Sequence, residues 1–368
     1  MKALADYDKL SHDELRARIQ EVRDSAGDRL AVFAHYYIVD EVVELADFVG
    51  DSLALAKRAA DSKAEALLFC GVRFMLETAD ILANRPEKIA ARGGKRMLVL
   101  APDLTAGCPM ADMITSEQAY AWKDELSELV DFNDFTPVSY VNSSAAIKAF
   151  CGEFGGAICT SANAEKTLRD ALAKRPKALF MPDSRLGKTT ALRVGIKPEE
   201  IAVWNPRSEK PYGGLSPEDI ERARVILWDG YCPTHQCFSA KFIKDLRKKQ
   251  PDAQVWVHPE SQRDVVELSD GYGSTSKLID VVDNAPKGAT LAIGTEWKLV
   301  DRLRRQNPDK TILWPGDEPQ VCGDMSKTTL AKVAWVLDKW RSGHPVSVVK
   351  TDPQYVENAY LALKSLLD

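Results

Sequence analysis

Three apolar runs in the chain each break off into polar or aromatic side chains. "AVFAHYY" ends on His35 and Tyr37, "PVSYVNS" on Tyr140 and Asn142, and "QVWVHPE" on His258 and Glu260. Short apolar runs predict strands, and residues two apart in a strand share a face, so each pair projects to one side. A helix-period stretch follows each run: "VDEVVELAD", "AAIKAFCGE" and "QRDVVELSD". A Gly-containing turn with hydroxyls comes next, "FVGDS", "AICTSAN" and "GYGSTS", and then a further helical pattern. A third strand and helix and a fourth strand, "RMLVLAPD", "VILWDG" or "TILWPGD", complete each pass. Alternation at this density predicts βα units around parallel sheets, hence an α/β protein of three pseudo-symmetric αβα domains with small parallel sheets around a central active site. The expected domains are 1–110 with an N-terminal helix, 111–236, and 237–368 with C-terminal helices. The Pro- and Gly-bearing stretch "IKPEEIAVWNPRSEKPYGGLSPED" predicts loops.

The hydroxyls recur at similar places: 17 residues from His35 to Ser52, 21 from Tyr140 to Ser161 and 17 from His258 to Thr275. Ser or Thr at a helix start is first of all an N-cap. Three such residues at helix N-termini, where N–H groups and the helix dipole favour negative charge, predict an anion site.

After each fourth strand comes one cysteine: Cys108 in "TAGCPMAD", Cys232 in "DGYCPTHQ" and Cys322 in "PQVCGDMS". Each opens a helical pattern, a setting that favours the thiolate, the form that binds metal. Ligands of such folds bind at the carboxyl ends of the strands. With those ends packed inward about a pseudo-threefold axis, the three thiols would meet at one point. Three widely separated thiols do not make a structural tetrathiolate zinc site, but they suit a [4Fe–4S] cluster with one iron left open. Cys70, Cys151, Cys159 and Cys237 lack that position and read as packing residues. His12 and His344 read as surface residues.

Composition narrows the partners. The net charge of -5 gives no broad basic surface for nucleic acid. No apolar run reaches membrane-spanning length. Seven cysteines without a secretory pattern fit a reducing cytoplasm.

The motifs "AHYY", "GDSLALA", "FCGVRFMLETADIL", "YVNSSAAIKA", "CTSAN", "CPTH", "HPES", "GSTS", "IGTE" and "CGDM", in this order, resemble the quinolinate synthase family over most of the chain. The resemblance implies three αβα domains in a triangle and a central [4Fe–4S] cluster on Cys108, Cys232 and Cys322. It implies condensation of iminoaspartate with dihydroxyacetone phosphate to quinolinate, with loss of phosphate and water, in de novo NAD synthesis. Family substrate-binding positions fall on His35, Ser52, Tyr140, Asn142, Ser161, His258, Glu260, Ser274 and Thr275. Tyr37, His235 and Glu260 match groups expected to move protons. It leaves room for transient contact with the enzyme that supplies iminoaspartate. Two positions depart from many members: Ile38 stands in place of Gln and Ser261 in place of Cys.

Two other readings compete. A zinc hydrolase or aldolase would use Cys232, His235 and His258 but leaves Cys108 and Cys322 without a role. An iron–sulfur or phosphate sensor would need a partner surface or a basic DNA-binding element, and the acidic charge speaks against the latter.

Overall fold

The computed structural model describes residues 3–367. The strands are, in chain order, β1 (Leu30–His35), β2 (Phe48–Gly50), β3 (Ala66–Cys70), β4 (Leu98–Leu100), β5 (Phe135–Tyr140), β6 (Ala157–Cys159), β7 (Lys177–Met181), β8 (Ile201–Trp204), β9 (Val225–Trp228), β10 (Gln254–Val257), β11 (Gly271–Tyr272), β12 (Thr290–Gly294), β13 (Thr311–Leu313) and β14 (Val348–Val349). They form three sheets, in the orders β14-β4-β3-β1-β2, β6-β5-β7-β9-β8 and β11-β10-β12-β13. Apart from the edge strands β14 and β8, each sheet has one order: second strand, first, third, fourth. All pairings are parallel except β14 on β4. The expected α/β architecture of three small parallel sheets flanked by helices is the one observed.

This order places a topological switch at the first strand of each sheet, because the chain leaves it toward one neighbour and returns on the other side. Side chains beyond its carboxyl end therefore face a crevice that no crossover covers. Every residue of β3 and β5 is buried, as parallel strands covered on both faces must be. Around them pack amphipathic helices such as His12–Ala26, started by a capping box between Ser11 and Glu14 and burying Leu15, Ile19 and Val22.

The chain falls into two compact units. One is the chain up to Cys108 with Val321–Asp352, and holds the β1 sheet; the other is Pro109–Gln320 with the chain from Pro353, and holds the β5 and β10 sheets. Of the C-terminal helices, Leu330–Arg341 packs on His12–Ala26 in the first unit, and Pro353–Leu363 packs on Ala145–Glu153 in the second. Gly152 permits that second contact, since a Cβ there would stand 1.7 Å from the Asn358 carbonyl oxygen.

Three local expectations are corrected. The stretch read as loops contains β8, whose "IAVW" extends the second sheet by pairing with β9. The helical pattern after β1 shrinks to Asp40–Val43. Asp47 leaves it for the sheet, accepting from the Val32 N–H at 2.7 Å while its own N–H donates to the Val32 carbonyl at 2.8 Å. The three loop thiols precede single 3-10 turns rather than helices: Cys232 is the residue just before Pro233–Gln236, while Cys108 and Cys322 lie three residues before Ala111–Met113 and Met325–Lys327. A turn of three or four residues carries little dipole, so the helix argument for those thiolates falls away.

Candidate active site

A buried polar cluster lies in the second unit, beyond the carboxyl end of β10. His258 and Glu260 follow that strand and are 3% and 2% exposed, and His235 from the loop after β9 is 3% exposed. Polar groups this deep require partners, and they have them. His235 Nδ1 lies 2.9 Å from Glu260 Oε2, and His258 Nδ1 lies 3.7 Å from Glu260 Oε1. The two imidazoles stack with centroids 4.5 Å apart, and His235 Nε2 meets Thr295 Oγ1 at 3.4 Å. Ser261 Oγ donates to the His258 carbonyl at 2.6 Å, and Gln236 Nε2 to the Glu260 carbonyl at 2.9 Å, so the backbone beneath both groups is held. Burial alone would raise the Glu260 carboxyl. The charges of His258 and His235, with hydrogen bonds from His235 and Tyr140, outweigh it and bring the carboxyl down to about 2.

Tyr140 thus joins this cluster from the end of β5, where it is 5% exposed. Two residues on, Asn142 Oδ1 is buried with no hydrogen-bond partner among the described residues. A buried acceptor left unpaired by the protein is open to a donor from outside the chain.

In the first unit, His35 closes β1 and Tyr37 packs edge-on against it, with centroids 4.6 Å apart. The Tyr37 N–H donates to His35 Nδ1 at 3.2 Å, which puts the neutral ring's proton on Nε2.

The hydroxyls divide into caps and neighbours of caps. Asp51, not Ser52, caps the helix Ser52–Asp61, accepting from the Ala54 N–H at 3.0 Å. Ser274 caps Thr275–Asn284 and leaves Thr275 at the first helical position. Ser161 lies in the turn before Asn163, the residue that caps Ala164–Lys174 in position, and Asn163 Oδ1 accepts from the Thr160 N–H at 2.6 Å. Ser52, Ser161 and Thr275 are therefore not the capping residues, and Ser274 is one.

The cysteines sort by environment, and none of the seven is in a disulfide. Cys70, Cys151 and Cys159 have no exposure, and burial pushes their thiols well up, so they are inert packing groups. Cys237 is half-buried and donates to the Thr234 carbonyl at 2.8 Å. Cys108, Cys232 and Cys322 are half-buried in loops after β4, β9 and β13. The loops of Cys108 and Cys322 are stitched together: the Gly107 N–H donates to Asp324 Oδ1 at 3.0 Å and Lys327 Nζ to the Thr105 carbonyl at 2.6 Å. Cys232 belongs to the second unit, its Sγ 3.2 Å from His235 Nδ1, and candidate ligand atoms of Cys232, His235 and Glu260 lie within 4.8 Å of one another. Loop thiols spared from core packing, of the kind found here in each unit, have the chemistry that an iron–sulfur cluster takes as ligands.

The sequence pattern did not single out Asp183. It follows β7 with no exposure, and the charge of Glu260 acts on it. The remaining histidines, His12 and His344, are exposed.

Residues 17–368 match the family model described as quinolinate synthetase A protein. Proteins named quinolinate synthase are similar over nearly the whole chain. That of Rhodopirellula baltica is 42% identical over 99% of this chain and 93% of its own. Those of Bacillus cereus and Bacillus anthracis are 42% and 41% identical, each over 98% of this chain and 95% of their own. Among solved structures, E-1-hydroxy-2-methyl-but-2-enyl-4-diphosphate reductase from Plasmodium falciparum matches 84% of this chain and 80% of its own at 11% identity. The TM-score of that match is 0.26.

Proposed function

The chain belongs to the quinolinate synthase family, a family of enzymes, and on that premise we propose that it condenses iminoaspartate with dihydroxyacetone phosphate to give quinolinate, phosphate and water in de novo NAD biosynthesis. The observation that carries this reading is the buried His235–Glu260–His258 cluster joined by Tyr140 beside the Cys232 thiol. We assign the reaction to the cytoplasm, with transient contact with the enzyme that supplies iminoaspartate. The three sheets are taken as three domains with boundaries near 110 and 236, around one active site.

Cys108, Cys232 and Cys322 would hold a [4Fe–4S] cluster, one per chain. Such a cluster supplies a Lewis acid at the iron that no cysteine holds. The remaining work falls to side chains. Two carboxylates and a phosphate need donors, which His35, Ser52, Tyr140, Asn142, Ser161, His258, Ser274 and Thr275 offer, the hydroxyls at helix starts together with backbone N–H groups. Isomerising and dehydrating a triose requires protons to be moved near neutral pH. A carboxylate brought down to about 2 stays ionised there and is by itself a weak base. Glu260 therefore works best as one unit with His235: the imidazole exchanges the proton while the carboxylate orients it and balances its charge. Tyr37 is the matching phenol of the first sheet.

A mononuclear metal on Cys232, His235 and Glu260 is the second reading, favoured by their mutual reach. An anaerobic preparation would be colourless with zinc and brown with the cluster. The direct test is an oxygen-free assay of iron-loaded protein with both substrates. Quinolinate formation is expected, and a cluster-loaded preparation that makes none would overturn the proposal.

A further inference from the structure

Asp183 is left without a job by the chemistry above. It stands at the carboxyl end of β7, bridged to Gly230, the residue two before Cys232. Gly230 makes that approach possible, since a Cβ there would lie 2.4 Å from the Pro182 carbonyl oxygen. The two carboxyl oxygens of Asp183 are unequal. Oδ1 accepts from the N–H groups of Arg185 and Leu186 at 2.7 and 2.9 Å, capping the helix Ser184–Arg193. Oδ2 is buried and has no hydrogen-bond partner among the described residues. Ionised, the group would carry charge out of water with only the two N–H bonds at Oδ1 and the charge of Arg185 to offset it, and the charge of Glu260 acting against it; protonated, it is tolerated at far lower cost.

We propose that Asp183 keeps its proton in the working enzyme and is a positioning residue acting through Glu260. As an uncharged neighbour it leaves the negative charge of the two buried carboxyls on Glu260, where His235, His258 and Tyr140 compensate it. Burial and then the charge of Glu260 push the Asp183 carboxyl well above the usual range, against the N–H bonds of Leu186 and Arg185 and the charge of Arg185. The titratable and charged groups facing it are Glu260 after β10, Arg185 on its own helix and Cys159 at the end of β6. Asp229, next to Gly230, is paired with Arg207 at 2.8 Å. One sequence feature accompanies the arrangement: after the third strand of the third sheet, the fully buried Glu296 likewise caps a helix.

The inference rests on the proposed reaction only for its kinetic readout. Asp183→Asn and Asp183→Ser both retain an N-cap acceptor, so each should fold. In infrared difference spectra at neutral pH, the wild type minus Asp183→Asn should show the carbonyl stretch of a protonated carboxylic acid; a carboxylate signal in its place overturns the proposal. As pH rises, the folded wild type alone holds this proton while the unfolded chain releases it, so stability present at low pH is lost. The melting temperature of Asp183→Asn should therefore gain on that of the wild type toward alkaline pH. In turnover, Asp183→Asn should keep its rate at alkaline pH where the wild type falls off. A pH profile superposed on that of the wild type would reduce Asp183 to a helix cap. A wild type without turnover would defeat the proposed reaction and leave the infrared result to decide Asp183.

Discussion

The first-strand ends and the fourth-strand loops repeat three times each, but they repeat differently. At the end of β1 stand an imidazole and a phenol, at the end of β5 a phenol and an amide, and at the end of β10 an imidazole and a carboxylate. Beyond β4, β9 and β13 stands the same residue, a half-buried cysteine. A scaffold of one strand order offers equivalent places in each sheet, and the side chains there record whether the places share a job or divide one. Unlike groups at the first-strand ends imply divided labour, with a distinct defect for each variant. On the proposed function the identical thiols share one task, with one defect for all three.

The largest expected effect at the first-strand ends is that of Glu260→Gln. The amide preserves shape but cannot balance a protonated His235, so turnover should fall roughly 100-fold or more while iron content is unchanged. Near-normal turnover would move the proton-moving role to His235 or Tyr37 alone. The same variant has a pH signature in stability. The folded carboxyl is held at about 2, below its unfolded value, so its contribution is present above the unfolded value and lost as pH falls through the folded one. Wild type and Glu260→Gln should differ in melting temperature at neutral pH and converge in acid.

A smaller effect separates binding from capping. Ser52→Ala and Thr275→Ala should each raise the apparent substrate constant, about tenfold for a loss of about 1.4 kcal/mol, with little change in melting. Asp51→Ala should do the reverse, costing about 1 kcal/mol of stability as a lost cap with an unchanged substrate constant, and Ser274→Ala, at once a cap and a proposed donor, should show both effects. Equal melting losses in all four would make every one of these residues structural.

The smallest effect is expected from Ser261→Cys. It weakens the hydrogen bond from Ser261 to the His258 carbonyl, now 2.6 Å, and should cost within about 1 kcal/mol with near-normal turnover. A large loss of turnover would show that this anchor sets the His258 ring.

What repeats locally was legible in the chain. The strand runs, the polar pairs at their ends and the three loop cysteines each announce themselves within a few residues, and the repetition separates them from chance. What depends on distant neighbours was not. Asp183 occurs in an ordinary "MPDSR", and its environment depends on Glu260 in another sheet. The shortened helix after β1 depends on Asp47 bonding Val32 across the sheet edge rather than its own turn. Ser52 looks like a cap in sequence, yet Asp51 one residue earlier is the better acceptor for the Ala54 N–H. β8 hides because four apolar residues amid prolines and glycines gain strand structure only from β9 beside them.

The shared task proposed for Cys108, Cys232 and Cys322 is tested most directly by iron and sulfide content in seven single Cys→Ser variants purified without oxygen. Thiolates hold iron far better than a neutral hydroxyl, and three ligands leave no spare. Cys108→Ser, Cys232→Ser and Cys322→Ser are each expected to lose most of their iron, while Cys70→Ser, Cys151→Ser, Cys159→Ser and Cys237→Ser keep it. Loss in Cys237→Ser with retention in Cys322→Ser would contradict the threefold assignment and make "CPTHQC" a local two-thiol site.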